Sequence, residues 1–165
     1  MNEKRYYIAY GSNLNVRQMR MRCPHATILG TANLKDWELL FKGSRTGSYL
    51  TIEECENGTV PVVIWEVTAA DEAALDRYEG FPTFYYKRDI RLQYKGIRTG
   101  RRRTVTAFAY IMHEDRPIGI PSNLYMRTCL SVFFNAGFQN LPDRNRRLYG
   151  AGRDTRRMPG LYSGR

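Results

Sequence analysis

Arg5-Tyr6-Tyr7-Ile8-Ala9-Tyr10-Gly11-Ser12-Asn13-Leu14 is an aromatic and apolar run that stops at Gly-Ser-Asn. Aromatic and β-branched residues without helical spacing predict a strand, and Gly, Ser and Asn permit the tight turn after it. Asn13 or Asn15 can then cap a helix predicted from Val16 to Cys23, where Pro24 bars continuation. A loop tied between a strand end and a helix start points several backbone N–H groups at one spot, which is an anion or oxyanion site. Taken alone, Gly-Ser-Asn reads as a plain turn.

Outward from this junction the pattern to Val67 is β: Thr27-Ile28-Leu29, Trp37 to Phe41, Tyr49 to Ile52 and Val60 to Val67, with Gly43, Gly47 and Asn57-Gly58 as turn signals. Pro61 belongs at a strand start or an edge, because it cannot donate to a ladder. These runs predict a mixed α/β (α+β) fold around a curled or barrel-like sheet, with consecutive antiparallel connections and a few flanking helices. Thr68 to Tyr78 reads as a short helix with Thr68 or Asp71 as its N-cap and Gly80 as its stop. Ala74, Leu75 and Tyr78 form its apolar arc, and Glu79 falls about 40° from Leu75, at the margin of the buried face. There the negative end of the helix dipole and partial burial would both raise the carboxyl toward the range of acid/base chemistry. The plainer reading is a surface residue, since Glu is rarely buried.

Strands from Tyr85 to Tyr94 and from Thr104 to Met112 are expected to pair across a basic turn. The alternation Val105, Ala107, Ala109, Ile111 suits a half-buried strand. Pro121-Ser122-Asn123 opens a helix to Ala136, with Leu124, Thr128, Leu130, Phe133 and Phe134 on its apolar face and Gly137 closing it. A shorter helix is expected after Pro142. Residues 1–150 are read as one domain and 151–165, rich in Gly and Arg, as a mobile basic tail.

A length of 165 residues with 42% hydrophobic content fits a single domain with a real core. The apolar run after Met1-Asn2-Glu3-Lys4-Arg5 is too short for a signal-peptide core or a membrane span, so the expected location is soluble and cytoplasmic, without membrane partners. Cys23, Cys55 and Cys129 are widely spaced and suggest buried free thiols, with no metal site. The net charge of +10 could mark a nucleic-acid binder. However, Lys95, Arg98, Arg101, Arg102 and Arg103 sit at a hairpin tip and most of the rest near the end, outside any nucleic-acid motif. Solvated surface is the favoured reading.

Three pieces in order carry a resemblance: Tyr10-Gly11-Ser12-Asn13-Leu14, Leu75-Asp76-Arg77-Tyr78-Glu79-Gly80 followed by Tyr85-Tyr86-Lys87-Arg88, and Pro121-Ser122-Asn123-Leu124-Tyr125. Across most of residues 5–140 the chain resembles the γ-glutamylcyclotransferase-like family, with its avirulence-induced and γ-glutamylamine relatives. The resemblance implies a cavity between the Gly-Ser-Asn loop and a glutamate. It also implies an intramolecular reaction, in which the α-amine of a γ-glutamyl group attacks its own γ-carbonyl, giving 5-oxoproline and a released amine. It places the family glutamate on Glu79, the substrate loop on Tyr10, Gly11, Ser12, Asn13 and Leu14, and a pocket tyrosine on Tyr125. A further pocket tyrosine falls on Tyr86 by direct counting or on adjacent Tyr85. No cofactor is required. The substrate α-carboxylate would be met by the loop or by a cation, with Arg45 and Arg88 as candidates. The alternative is a basic binding module on the same fold that holds an acidic partner without catalysis.

Overall fold

A computed structural model of the chain describes residues 3–44 and 47–135. Strand β1 (Arg5–Ala9) runs antiparallel to β3 (Gly47–Val67) on one edge. On the other it meets β5 (Arg102–Met112) in parallel at Tyr7 and Phe108. This parallel contact closes the sheet into a barrel with strand order β1-β3-β2-β4-β5, where β2 is Thr27–Ser44 and β4 is Tyr85–Gly96. Helices α1 (Val16–Arg22), α2 (Ala69–Glu79) and α3 (Asn123–Asn135) flank it. The expected small mixed fold with a barrel-like sheet is the fold observed.

The runs read as separate strands between Thr27 and Val67 are fused into one long hairpin of β2 and β3. Asn57-Gly58 does not reverse the chain; it forms an excursion within β3 opposite Asp36, where Asn57 and Asp36 both adopt φ 62°. The Asn57 N–H donates to Asp36 Oδ1 over 3.1 Å, so local side-chain chemistry absorbs the extra residues while the ladder resumes on either side. A side chain at Gly58 would meet the Trp37 carbonyl at 2.3 Å, which explains the glycine. Pro61 pairs with Asn33 of β2 but lies just beyond the β1 pairing, which begins at Val63, so β3 has an edge there as expected.

In β5 the half-buried pattern holds only at its start; from Ala107 to Met112 both faces are buried. The second face carries Phe108 and Tyr110, whose rings stand 5.4 and 5.7 Å from that of Tyr7, and Arg5 and Lys87 cover Phe108. Cys23 and Cys129 are buried, whereas Cys55 is half-exposed rather than buried. No helix among the described residues is long and apolar enough to cross a membrane. Arg45, the Gly137 stop, the helix after Pro142, the 151–165 tail with its domain boundary at 150, and the side chains of Leu130, Phe133 and Phe134 lie outside the described residues.

Candidate active site

After β1, the chain turns through a 3₁₀ segment at Ser12–Leu14, closed by Leu14 N–H to Gly11 O and Asn15 N–H to Ser12 O, each 3.0 Å. The N–H groups of Ser12 and Asn13 head this turn, where no acceptor within the turn exists for them. Asn15, not Asn13, caps α1, accepting from Gln18 N–H over 3.1 Å. That leaves the Asn13 side chain for other work. Only 2% exposed, it donates from Nδ2 to Tyr7 Oη over 2.9 Å and to Glu79 Oε1 over 3.0 Å.

Glu79 reaches that meeting point as the last residue of α2. A full capping box fixes the start of the helix: the Thr68 hydroxyl accepts from Asp71 N–H, and the Asp71 carboxylate accepts from Thr68 N–H. Gly80 ends the helix in the left-handed conformation, φ 65°, that glycine adopts without steric cost. Leu75 and Asp71 anchor the inner face, while Tyr78, expected in the apolar arc, is 49% exposed. Its hydroxyl instead meets Ser12 Oγ at 3.2 Å.

The loop and the glutamate face one cavity, shared with Tyr7, Tyr10, Leu50, Tyr85, Tyr110 and Tyr125. The Leu50 backbone is held from two sides: Tyr85 Oη donates to its carbonyl over 2.8 Å, and its N–H donates to Tyr125 Oη over 3.2 Å. Tyr10 donates to the Tyr110 carbonyl over 2.5 Å, and Tyr110 donates to Asp76 Oδ1 over 2.6 Å. Burial pushes the Glu79 carboxyl up to about 7, against the opposing pull of Arg22 and the Asn13 hydrogen bond. Burial also drives the hydroxyls of Tyr7, Tyr10, Tyr85, Tyr110 and Tyr125 well above the usual tyrosine value, so the aromatic wall stays neutral. The arrangement can therefore exchange a proton near neutral pH beside preorganised neutral donors.

Of the residues singled out in the sequence, Tyr10, Gly11, Ser12, Asn13, Glu79 and Tyr125 come together on the cavity. Leu14 is buried in the core instead. Tyr86 does not line the cavity. Neighbouring residues of a strand point to opposite faces, so Tyr85 turns inward while Tyr86 bonds to the Glu114 carboxylate and lies 5.3 Å from the His113 ring. Arg88 is also elsewhere, paired with Glu54 at 2.6 Å and stacked over Trp37. The sequence reading missed Tyr7, Leu50, Tyr110 and Arg22. The tyrosines were visible only as strand aromatics, and Arg22 only as a cation in the last turn of a helix.

The sequence model of the gamma-glutamyl cyclotransferase, AIG2-like family matches residues 7–127. The chain belongs to that family. Among its relatives, the human protein named γ-glutamylcyclotransferase is 30% identical over 130 residues, which are 73% of this chain and 65% of the relative. The bovine protein of that name is 34% identical over 87 residues, 48% of this chain and 46% of the relative. The matched part thus spans about half to two thirds of these relatives' own length. A solved structure named γ-glutamyl cyclotransferase superposes with a TM-score of 0.70 at 23% identity, covering 99% of this chain and 93% of the other. At that identity the likeness establishes the fold.

Proposed function

We propose that this family member is a γ-glutamyl cyclotransferase that converts a γ-glutamyl-amine, γ-glutamyl-amino acid or γ-glutamyl peptide into 5-oxoproline and the released amine. The observation carrying this reading is the 3.0 Å hydrogen bond that brings Asn13 of the Gly-Ser-Asn loop to the Glu79 carboxyl inside the tyrosine-walled cavity.

The substrate α-amine is an ammonium ion at neutral pH and must lose a proton before it can attack. Glu79, ionised at about 7, takes that proton. The amine nitrogen bonds to the γ-carbonyl carbon, and the negative charge moves onto the carbonyl oxygen. The N–H groups at the head of the Ser12–Leu14 turn suit that developing charge. As the oxyanion collapses, Glu79 returns its proton to the leaving nitrogen and the bond to that nitrogen breaks. The ring nitrogen, which bonded as a neutral NH₂ and now carries one proton too many, gives it up through the freed Glu79 carboxylate, so that 5-oxoproline keeps one N–H and the amine leaves as an ammonium ion. Nucleophile and electrophile belong to one molecule, so the chief task of the walls is to hold the chain folded back, where large effective molarities are available.

The test is incubation with a panel of γ-glutamyl compounds and measurement of 5-oxoproline, for the wild-type protein and Glu79→Gln. Formation by the wild type and loss in the variant are expected; equal turnover by both would remove Glu79 as the base.

A further inference from the structure

Asn13 is an asymmetric group in a buried place. Its side chain is an oxygen acceptor on one side and an NH₂ donor on the other, nearly equal in size, so its partners decide which way it faces. Both Nδ2 protons are spent, on Tyr7 Oη and on Glu79 Oε1. Its Oδ1 accepts from Arg22 Nη1. Arg22 cannot accept a hydrogen bond, so it tolerates only the oxygen side of the amide. From this we infer that Arg22, which does not line the cavity, is a positioning residue that locks the Asn13 amide with its NH₂ group toward Glu79 and Tyr7.

The geometry carries this beyond the plainer account of Arg22 as a cation that complements the end of α1. Its guanidinium lies 3.4 Å from the centre of the Tyr78 ring. Tyr78 is itself bonded to Ser12, so stacking and hydrogen bond together fix the arginine against the loop. Arg22 makes no ion pair with Glu79 among the described residues, yet its charge acts on the carboxyl. The other titratable groups acting on Glu79 or facing it across the cavity are Tyr7 and Tyr10 from the β1 side, Tyr85 from β4, Tyr110 from β5 and Tyr125 from α3. All are neutral, which leaves Arg22 as the cation of the set. If the amide were free to turn, Oδ1 would confront the carboxylate and favour its protonated form. Arg22 thus acts on Glu79 in two ways, through space and through the orientation of Asn13.

The role of Glu79 as base rests on the function proposed above, so the experiment reads the free protein without substrate. Selective ¹³C labelling of glutamate follows the Glu79 carboxyl through a pH titration, with Glu79→Gln identifying its signal. In Arg22→Met the midpoint should rise by about one unit or more, and the Asn13 NH₂ pair should lose its protection from exchange. Arg22→Lys, which keeps the charge but not the fork, should give an intermediate midpoint. Arg22→Gln, which can still donate to Oδ1, should keep the Asn13 protection even though the charge is gone. A folded Arg22→Met protein with an unchanged midpoint and a protected Asn13 pair would overturn the inference; if that variant does not fold, an unchanged midpoint in both Arg22→Lys and Arg22→Gln would do so. Failure of every γ-glutamyl compound to react would sink the cyclotransferase reading and leave this titration to stand by itself.

Discussion

Asn13 and Glu79, 66 residues apart in sequence, are joined by a 3.0 Å hydrogen bond from Nδ2 to Oε1. This bond stabilises the charged form of the carboxyl, whereas its burial stabilises the neutral one, and burial is the larger effect. The balance leaves Glu79 near neutrality, where it can both take and return a proton. Glu79→Gln preserves shape and hydrogen bonding but cannot do either, so 5-oxoproline formation should fall by about 10²–10⁴-fold, with an unchanged circular dichroism spectrum.

The same carboxyl sets a pH dependence whose sign is fixed. Its value rises from 4.5 in the unfolded reference to about 7 in the fold, so the folded state holds the proton more tightly. The associated stability is full below about 4.5, declines as pH rises to about 7 and is gone above it, a change on the order of 3 kcal/mol. Melting temperature against pH should therefore drop across this window in the wild type by more than in Glu79→Gln. Activity should run the other way, with an acidic limb in kcat/KM that rises toward neutral pH as the base ionises.

Tyr85 and Tyr86 are neighbours with opposite duties. Tyr85→Phe removes the hydroxyl that holds the Leu50 carbonyl on the cavity wall and should cost about 1 kcal/mol of stability, together with a raised KM for the γ-glutamyl substrate. Tyr86→Phe loses a contact with Glu114 outside the cavity and should leave kcat/KM within about twofold, as befits a surface substitution. Steady-state kinetics on the two variants side by side decides the matter; a larger loss in Tyr86→Phe would reverse it.

Thr68 stands eleven residues before Glu79 but holds the helix that delivers it. In Thr68→Ala the capping box is lost, at a cost of about 1 kcal/mol, which for a chain of this size is about 3 °C in melting temperature. The change should appear in thermal unfolding and far less in KM.

Lys95, Arg98, Arg101, Arg102 and Arg103 are exposed on the β4–β5 hairpin, whose tip lies about 36 Å along β4 from Tyr85 at about 3.3 Å per residue. Charges that far away are screened at ordinary ionic strength, so alanine at 101, 102 and 103 should leave 5-oxoproline formation within about twofold. Salt-sensitive retention on an anionic matrix that vanishes in this variant would show the hairpin to be a separate binding surface.

The strands and helices were legible because their residues obey local rules: Gly80 stops α2, Pro24 stands beyond the end of α1, and alternation marks the start of β5. The pairing of the Gly-Ser-Asn loop with Glu79 was legible through the ordered family motifs rather than through periodicity. Three features were not. The Asn57-Gly58 pair looks the same in a turn and in a bulge until the partner strand is known. The inward choice between Tyr85 and Tyr86 depends on strand register, and a one-residue slip exchanges the two faces. Arg22 acts through a tertiary contact with Asn13, nine residues away around a turn, for which local propensity carries no signal.

The parallel seam at Tyr7 and Phe108 sets an order of events during synthesis. Tyr7 and Tyr10 leave the ribosome early, but Tyr110 follows about a hundred residues later, on the order of 5–20 s at ordinary elongation rates. Until then β1 can pair with β3 alone, and the wall shared by Tyr7 and Tyr110 does not exist. Closing the barrel therefore awaits β5, and the cavity is complete only when Tyr125 of α3 follows, so a nascent chain that stops short of β5 has the loop and Glu79 but neither the Tyr110 nor the Tyr125 wall.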